Sequence, residues 1–235
     1  MLLNKTYIVT GASSGIGKAI SEMLLCQNAS VIGISRTVKP VASQARFKAV
    51  NMDFTRPKDY ESSLKAIVRD AQGLEGCVCA AGLGRFGALE QFSFSQMQAM
   101  MHINFMAHAA LLRYILPVLK RKRRGDVLII GSEAALDGGK NGAMYCASKF
   151  ALRGLAQALR EECSKQGVRV NLINPGMVKT AFFEDLSFAP GDDRENYLTA
   201  EDVANTARLI FCSPASVVFD EVNLSPLKKV INFHS

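Results

Sequence analysis

Short apolar, β-branched runs alternate with longer stretches of helical spacing along nearly the whole 235-residue chain, and this alternation restricts the fold most. The strand-like runs are Lys5–Thr10, Ser30–Ile34, Phe47–Met52, Gly76–Ala81, Asp126–Gly131, Val168–Ile173 and a last one near Val217–Leu224. Between them the spacing predicts helices over Gly15–Gln27, Lys58–Ala71, Gln96–Lys120 (kinked at Pro117) and Gly142–Lys165. Thr199 and Asp202 form a box-like start for a further helix. Strands apolar at almost every position are buried on both faces, so helices must cover both sides of a parallel sheet. Right-handed crossovers then wind residues 1–235 into a single-domain, doubly wound α/β fold with a seven-stranded, mainly parallel sheet. Ligands of such sheets bind beyond the carboxyl ends of the strands, where the strand order reverses.

The first strand runs into Thr10-Gly11-Ala12-Ser13-Ser14-Gly15-Ile16-Gly17 and then a helix. Gly11 permits the tight turn, Gly15 lets backbone approach a pyrophosphate, and Gly17 lets the helix pack on the strand. The helix N-terminus offers free N–H groups and a positive dipole end to phosphates. The second strand ends Gly33-Ile34-Ser35-Arg36-Thr37, with no acid to bond a ribose 2′-hydroxyl. Arg36 can instead pair a 2′-phosphate, helped by the Ser35 or Thr37 hydroxyl, so NADP (NADPH) is the expected cofactor.

Composition narrows the classes. The longest apolar stretch, near Leu111–Leu119, holds Arg113 and Pro117 and is too short to span a bilayer. With no secretory signal visible, the reading is cytoplasmic, with no membrane partner. Six cysteines at 26, 77, 79, 146, 163 and 212 show no metal-ligand spacing and read as reduced, buried thiols; no metal is expected. His102 and His108 fall on different helix faces and His234 near the terminus, so none completes a triad. The net charge of +7 owes much to Lys120-Arg121-Lys122-Arg123-Arg124. Cations suit a helix C-terminus, and without a recognised motif or interleaved aromatics no nucleic-acid partner is expected.

The spacing Gly-x-x-x-Gly-x-Gly resembles that of the short-chain dehydrogenase/reductase family, and further segments agree in order and separation. Asp53 follows the third strand, Cys79-Ala80-Ala81-Gly82 ends the fourth, Tyr145-Cys146-Ala147-Ser148-Lys149 fits Tyr-x-x-x-Lys, and Asn174-Pro175-Gly176 ends the sixth with Thr180 beyond it. The resemblance implies a Rossmann fold and a cofactor held by Gly11, Ser13, Ser14, Gly15, Ile16 and Gly17, then Ser35 and Arg36, Asp53 and Phe54, and Ala80, Ala81 and Gly82. Tyr145, Lys149, Pro175, Gly176, Val178 and Thr180 would complete that site. Cys79-Ala80 departs from the family's paired asparagines, which implies altered supporting hydrogen bonds. The ending Phe219–Pro226 resembles the branch holding bacterial serine and 3-hydroxy acid dehydrogenases.

Tyr145 and Lys149 lie one helical turn apart, where a cation favours the phenolate of a tyrosine that titrates near ~10 when free. Ser132, thirteen residues earlier, ends the fifth strand and can hydrogen-bond a substrate oxygen. The family adds Asn104, anchoring a water that links Lys149 to solvent. The implied activity is hydride transfer between a nicotinamide and a small-molecule carbonyl or alcohol, with Asn104, Ser132, Tyr145 and Lys149 as the catalytic set. A non-catalytic NADP-binding sensor or scaffold on the same fold is the alternative. Residues 177–197, carrying Phe182, Phe183, Leu186 and Phe188, read as a substrate lid. Ala143, Ala147, Ala151, Gly154 and Ala158 allow close helix approach, and the expectation is a homodimer or homotetramer.

Overall fold

The computed structural model describes residues 2–40 and 44–233, so His234 lies outside the described residues. The elements run β1 (Thr6–Thr10), α1 (Gly15–Cys26), β2 (Ser30–Ser35), β3 (Phe47–Asn51), α2 (Pro57–Asp70), β4 (Leu74–Cys79), α3 (Phe94–Met101), α4 (Ala107–Lys122) and β5 (Gly125–Ile130). There follow α5 (Ala143–Ser164), β6 (Val168–Pro175), β7 (Phe188–Pro190), α6 (Ala200–Cys212), β8 (Val222–Leu224) and β9 (Ile231–Phe233).

Seven strands form one sheet in the order β3-β2-β1-β4-β5-β6-β8, and every pairing in it is parallel. Alternation along the strands splits the apolar residues between two cores. Ile8, Ile32, Cys77, Cys79 and Val127 face the α2, α4 and α5 side, where Leu64, Leu111, Ile115 and Leu152 pack on them. Tyr7, Val9, Val31, Val78 and Leu128 face α1 and α6, against Ile20, Leu24, Val203 and Phe211. This is the doubly wound α/β fold expected, with helices on both faces.

The order turns back between β1 and β4, so the glycine turn after β1 lies beside Ala80-Ala81-Gly82 after β4. Thr10 bridges the two strand ends: its hydroxyl accepts from the amides of Ala80 at 3.0 Å and Ala81 at 3.1 Å. Below them the buried His108 bonds through Nε2 to the Ala81 carbonyl at 2.9 Å. These contacts hold the β4 end at Ala80 and Ala81.

The basic run ends α4, as expected, and part of it is consumed there. Lys122 and Arg124 reach the buried Glu75 at 2.9 and 2.8 Å, and Arg123 takes a left-handed conformation with φ 53°. Thr199 and Asp202 form the capping box that opens α6.

Four features differ from the sequence reading. The long helix is interrupted by a π-helical turn at His102–Met106 and continues past Pro117 to Lys122. The last sheet strand is only Val222–Leu224. A small antiparallel pair, β7 with β9, aligns Phe188 with Phe233 and Pro190 with Ile231. Cys26 and Cys212 are exposed; the other four thiols are buried, and all six are free.

Candidate active site

A cleft of about 650 Å³ opens at the carboxyl ends of the strands. Every residue expected to hold a cofactor lines it, together with Ser132, Tyr145 and Lys149; Asn104 does not. Its floor at one end is the glycine turn. Gly11 has φ +71°, and a side chain there would meet the Ala80 carbonyl carbon at 3.0 Å. A Cβ on Gly17 would sit 2.4 Å from the Gly11 oxygen, so the close approach of α1 to the turn requires glycine. Ser14 caps α1 in an extended conformation and makes no side-chain cap bond, which leaves first-turn N–H groups for a phosphate.

Beside the glycine turn, Arg36 is exposed at the tip of β2, and Ser35 accepts from the Thr37 amide at 3.3 Å. The Thr55 amide and hydroxyl, at 2.9 and 2.8 Å, hold the Asp53 carboxyl below its usual range. An ionised, outward-held carboxylate there can accept from an adenine amino group. The bare glycine turn, the open helix end and this carboxylate together suit a dinucleotide.

At the other end, Ser132 follows β5 and opens a short 3-10 turn, accepting from the Ala134 amide at 3.1 Å. α5 carries Tyr145 and Lys149, both buried. Burial pushes the Tyr145 hydroxyl up to about 12, against a lowering hydrogen bond from Ser132. Lys149 donates to the Ile130 carbonyl at 3.3 Å, its Nζ lies 5.7 Å from the Tyr145 ring centre, and burial lowers it to about 8. Desolvation thus moves the phenol upward, opposite to the lowering expected from Lys149.

Asn104 occupies the π-helical turn, fully buried. Its Oδ1 accepts from the Leu83 amide at 2.7 Å, and its Nδ2 donates to the Leu83 carbonyl at 3.0 Å and to Ser148 Oγ at 2.9 Å. Ser148 donates in turn to the Tyr145 carbonyl at 2.7 Å. In this arrangement the side chain of Asn104 ties the loop after β4 to the turn of α5 that bears Tyr145.

Sequence reasoning missed Phe86, Glu133 and Ile231, which also line the cleft. Phe86 and Ile231 come from segments without strand or helix periodicity long enough to signal their direction. Glu133, adjoining Ser132, carried a signal in that adjacency alone.

The sequence profile of the short chain dehydrogenases matches residues 5–189. The chain belongs to this family. Family members resemble it over most of its length. An uncharacterized oxidoreductase of Staphylococcus epidermidis is 29% identical over 95% of this chain and 97% of its own. The mouse 17-beta-hydroxysteroid dehydrogenase type 1 is 32% identical over 78% of this chain and 57% of its own. Among solved structures, the alcohol dehydrogenase of the archaeon Thermococcus sibiricus, complexed with 5-hydroxy-NADP, superposes with a TM-score of 0.84 at 26% identity, covering 96% of this chain and 98% of that one. A metagenomic short-chain oxidoreductase in complex with NADP gives a TM-score of 0.80 at 27% identity, over 97% and 99%. Like other short-chain dehydrogenases, the protein is an oxidoreductase, and none of its described helices is long and apolar enough to cross a membrane.

Proposed function

We propose that the protein is an NADP(H)-dependent enzyme that interconverts a carbonyl and an alcohol, with Tyr145 as proton donor and acceptor. The observation that carries this reading is one cleft with the glycine turn and Arg36 at one end and Ser132, Tyr145 and Lys149 at the other. Bound along the cleft, a nicotinamide supplies or takes up the hydride. The protein's own groups manage position and the proton.

Ser132 and Tyr145 both present hydroxyls to a substrate oxygen and stabilise negative charge building on it. With its hydroxyl near 12, Tyr145 is protonated at neutral pH and ready to donate in reduction. Oxidation needs the phenolate, so its rate rises with pH. Lys149, still an ammonium below about 8, sits under the ring to hold ribose hydroxyls and to favour the phenolate. Asn104 positions Tyr145 through Ser148.

Residues 177–197 act as the lid. Its base is stapled by Lys179 N–H to the Leu198 carbonyl and Leu198 N–H to the Met177 carbonyl, each 2.8 Å, and Phe182, Phe183 and Phe188 face the cleft. The protein works in the cytoplasm as a dimer or tetramer. Ala143, Ala147, Gly154 and Ala158 lie exposed along α5 with Phe150, so that stripe is not used for packing within one subunit.

Titration calorimetry with NADPH and NADH tests the nucleotide assignment. NADPH should bind more tightly, and Arg36→Ala should weaken NADPH by roughly 10–100-fold, the worth of charge-assisted bonds to a phosphate, while leaving NADH nearly unchanged. Equal affinity for the two nucleotides in the unaltered protein would refute it.

A further inference from the structure

Beyond Tyr145 the cleft is walled by aromatic rings. Phe86 lies 5.0 Å, centre to centre, from Tyr145 and 4.9 Å from Phe188, which it meets edge-on. Phe182 lies 6.0 Å from Tyr145 and 5.2 Å from Phe183, and Phe183 lies 5.9 Å from Phe188. The rings thus form a continuous wall that begins at the proposed proton donor, and Ile231 of β9 adds an aliphatic side. Gly84 makes room for part of it: a Cβ there would stand 2.2 Å from the tip of the Phe182 ring.

Few charges stand around this wall. Among the described residues, the only cations lining the cleft are Arg36, at the adenosine end, and Lys149, buried beneath Tyr145. The charged side chains on the aromatic side are Glu133 and Asp185. Glu133 is bonded to Lys229 at 2.7 Å, which occupies that rim ammonium. A substrate carboxylate or phosphate entering against these rings would lose its water and find the Asp185 carboxylate there instead of a cation. A flat apolar ring would instead gain edge and face contacts with several phenyl groups.

We propose that the substrate is a neutral, ring-bearing apolar ketone or the matching alcohol, and that Phe86, Phe182 and Phe188 determine this specificity. The proposal rests on the oxidoreductase reading of the same cleft. It excludes hydroxy acids, whose carboxylate has nothing to bind. Asp185 opposes anions by charge, and the rings select for apolar area.

Two probes that differ in one charge decide the matter: acetophenone and 4-acetylbenzoate, titrated into the protein saturated with NADP and into the protein alone, with binding read by saturation-transfer NMR. Acetophenone should bind at least about tenfold more tightly than the carboxylate. Phe86→Ala should weaken acetophenone about 3–10-fold, Phe86→Leu less, and Gly84→Ala should weaken it by displacing the Phe182 ring. NADP affinity should hold in all three. Equal or tighter binding of 4-acetylbenzoate would overturn the proposal, as would Phe86→Ala with unchanged acetophenone affinity. Failure of every carbonyl to oxidise NADPH would count against the proposed function, and the binding comparison would still decide this inference.

Discussion

Lys149 is an ammonium buried with one backbone carbonyl, that of Ile130, at 3.3 Å. Such a placement costs stability, and the proposed role beside Tyr145 is a reason to keep it. The sign follows from the lowered value: folded Lys149 titrates near 8 and the unfolded chain near 10.5, so the unfolded state binds more protons between those values. The penalty is full below pH 8, and stability rises as pH climbs from 8 to 10.5. Lys149→Met should therefore raise stability at neutral pH by about 1–3 kcal/mol, abolish turnover and flatten that rise, as read by denaturant titrations across the window. A destabilised Lys149→Met protein would show that the lysine is held by more than the Ile130 carbonyl. The glycines of the first turn and the Tyr145–Lys149 pair were legible because their spacing is local. The burial that raises Tyr145 was not, since it is set by rings from Phe86 and Phe182, far away in the chain. The saturation of Asn104 by Leu83 and Ser148 was equally hidden, because it depends on a π-helical turn that no local pattern announces.

Six of the seven sheet strands and the main helices were readable because each repeats its period several times. β7 and β9 were not: each is three residues long, and they pair across some forty residues of chain, so neither displays an alternation of its own. That pair nevertheless brings Phe188 and Ile231 to the cleft. β9 pairs with the proposed lid at Phe188–Pro190, Gly191 N–H donates to the Val230 carbonyl at 3.0 Å, and Lys228 reaches Glu195 at 2.6 Å. Ending the chain at Lys229 should thus free the lid. Limited proteolysis within 181–196 should speed up, and KM for a carbonyl substrate should rise several-fold while NADPH affinity is kept. In the intact protein, cleavage in that segment should slow when NADP and a substrate ketone are both bound. Cleavage that is slow and indifferent to ligand would contradict a lid.

At the scale of the molecule, the doubly wound sheet places the glycine turn and the tyrosine end on one edge. The exposed stripe on α5, with Phe150 and Met106 also in solvent, predicts a dimer or tetramer; light scattering showing a 25.5 kDa particle at micromolar concentration would refute it. The central claim is that this cleft couples a nicotinamide to a carbonyl through the hydroxyl of Tyr145. The most direct measurement is NADPH oxidation over a panel of neutral ketones, made side by side on the unaltered protein and Tyr145→Phe, with the NADPH dissociation constant of each. The account predicts that Tyr145→Phe binds NADPH nearly normally and loses about 10²–10⁴-fold in kcat, the usual worth of a positioned general acid. A Tyr145→Phe protein that turns over an authentic substrate at near-full rate would contradict it.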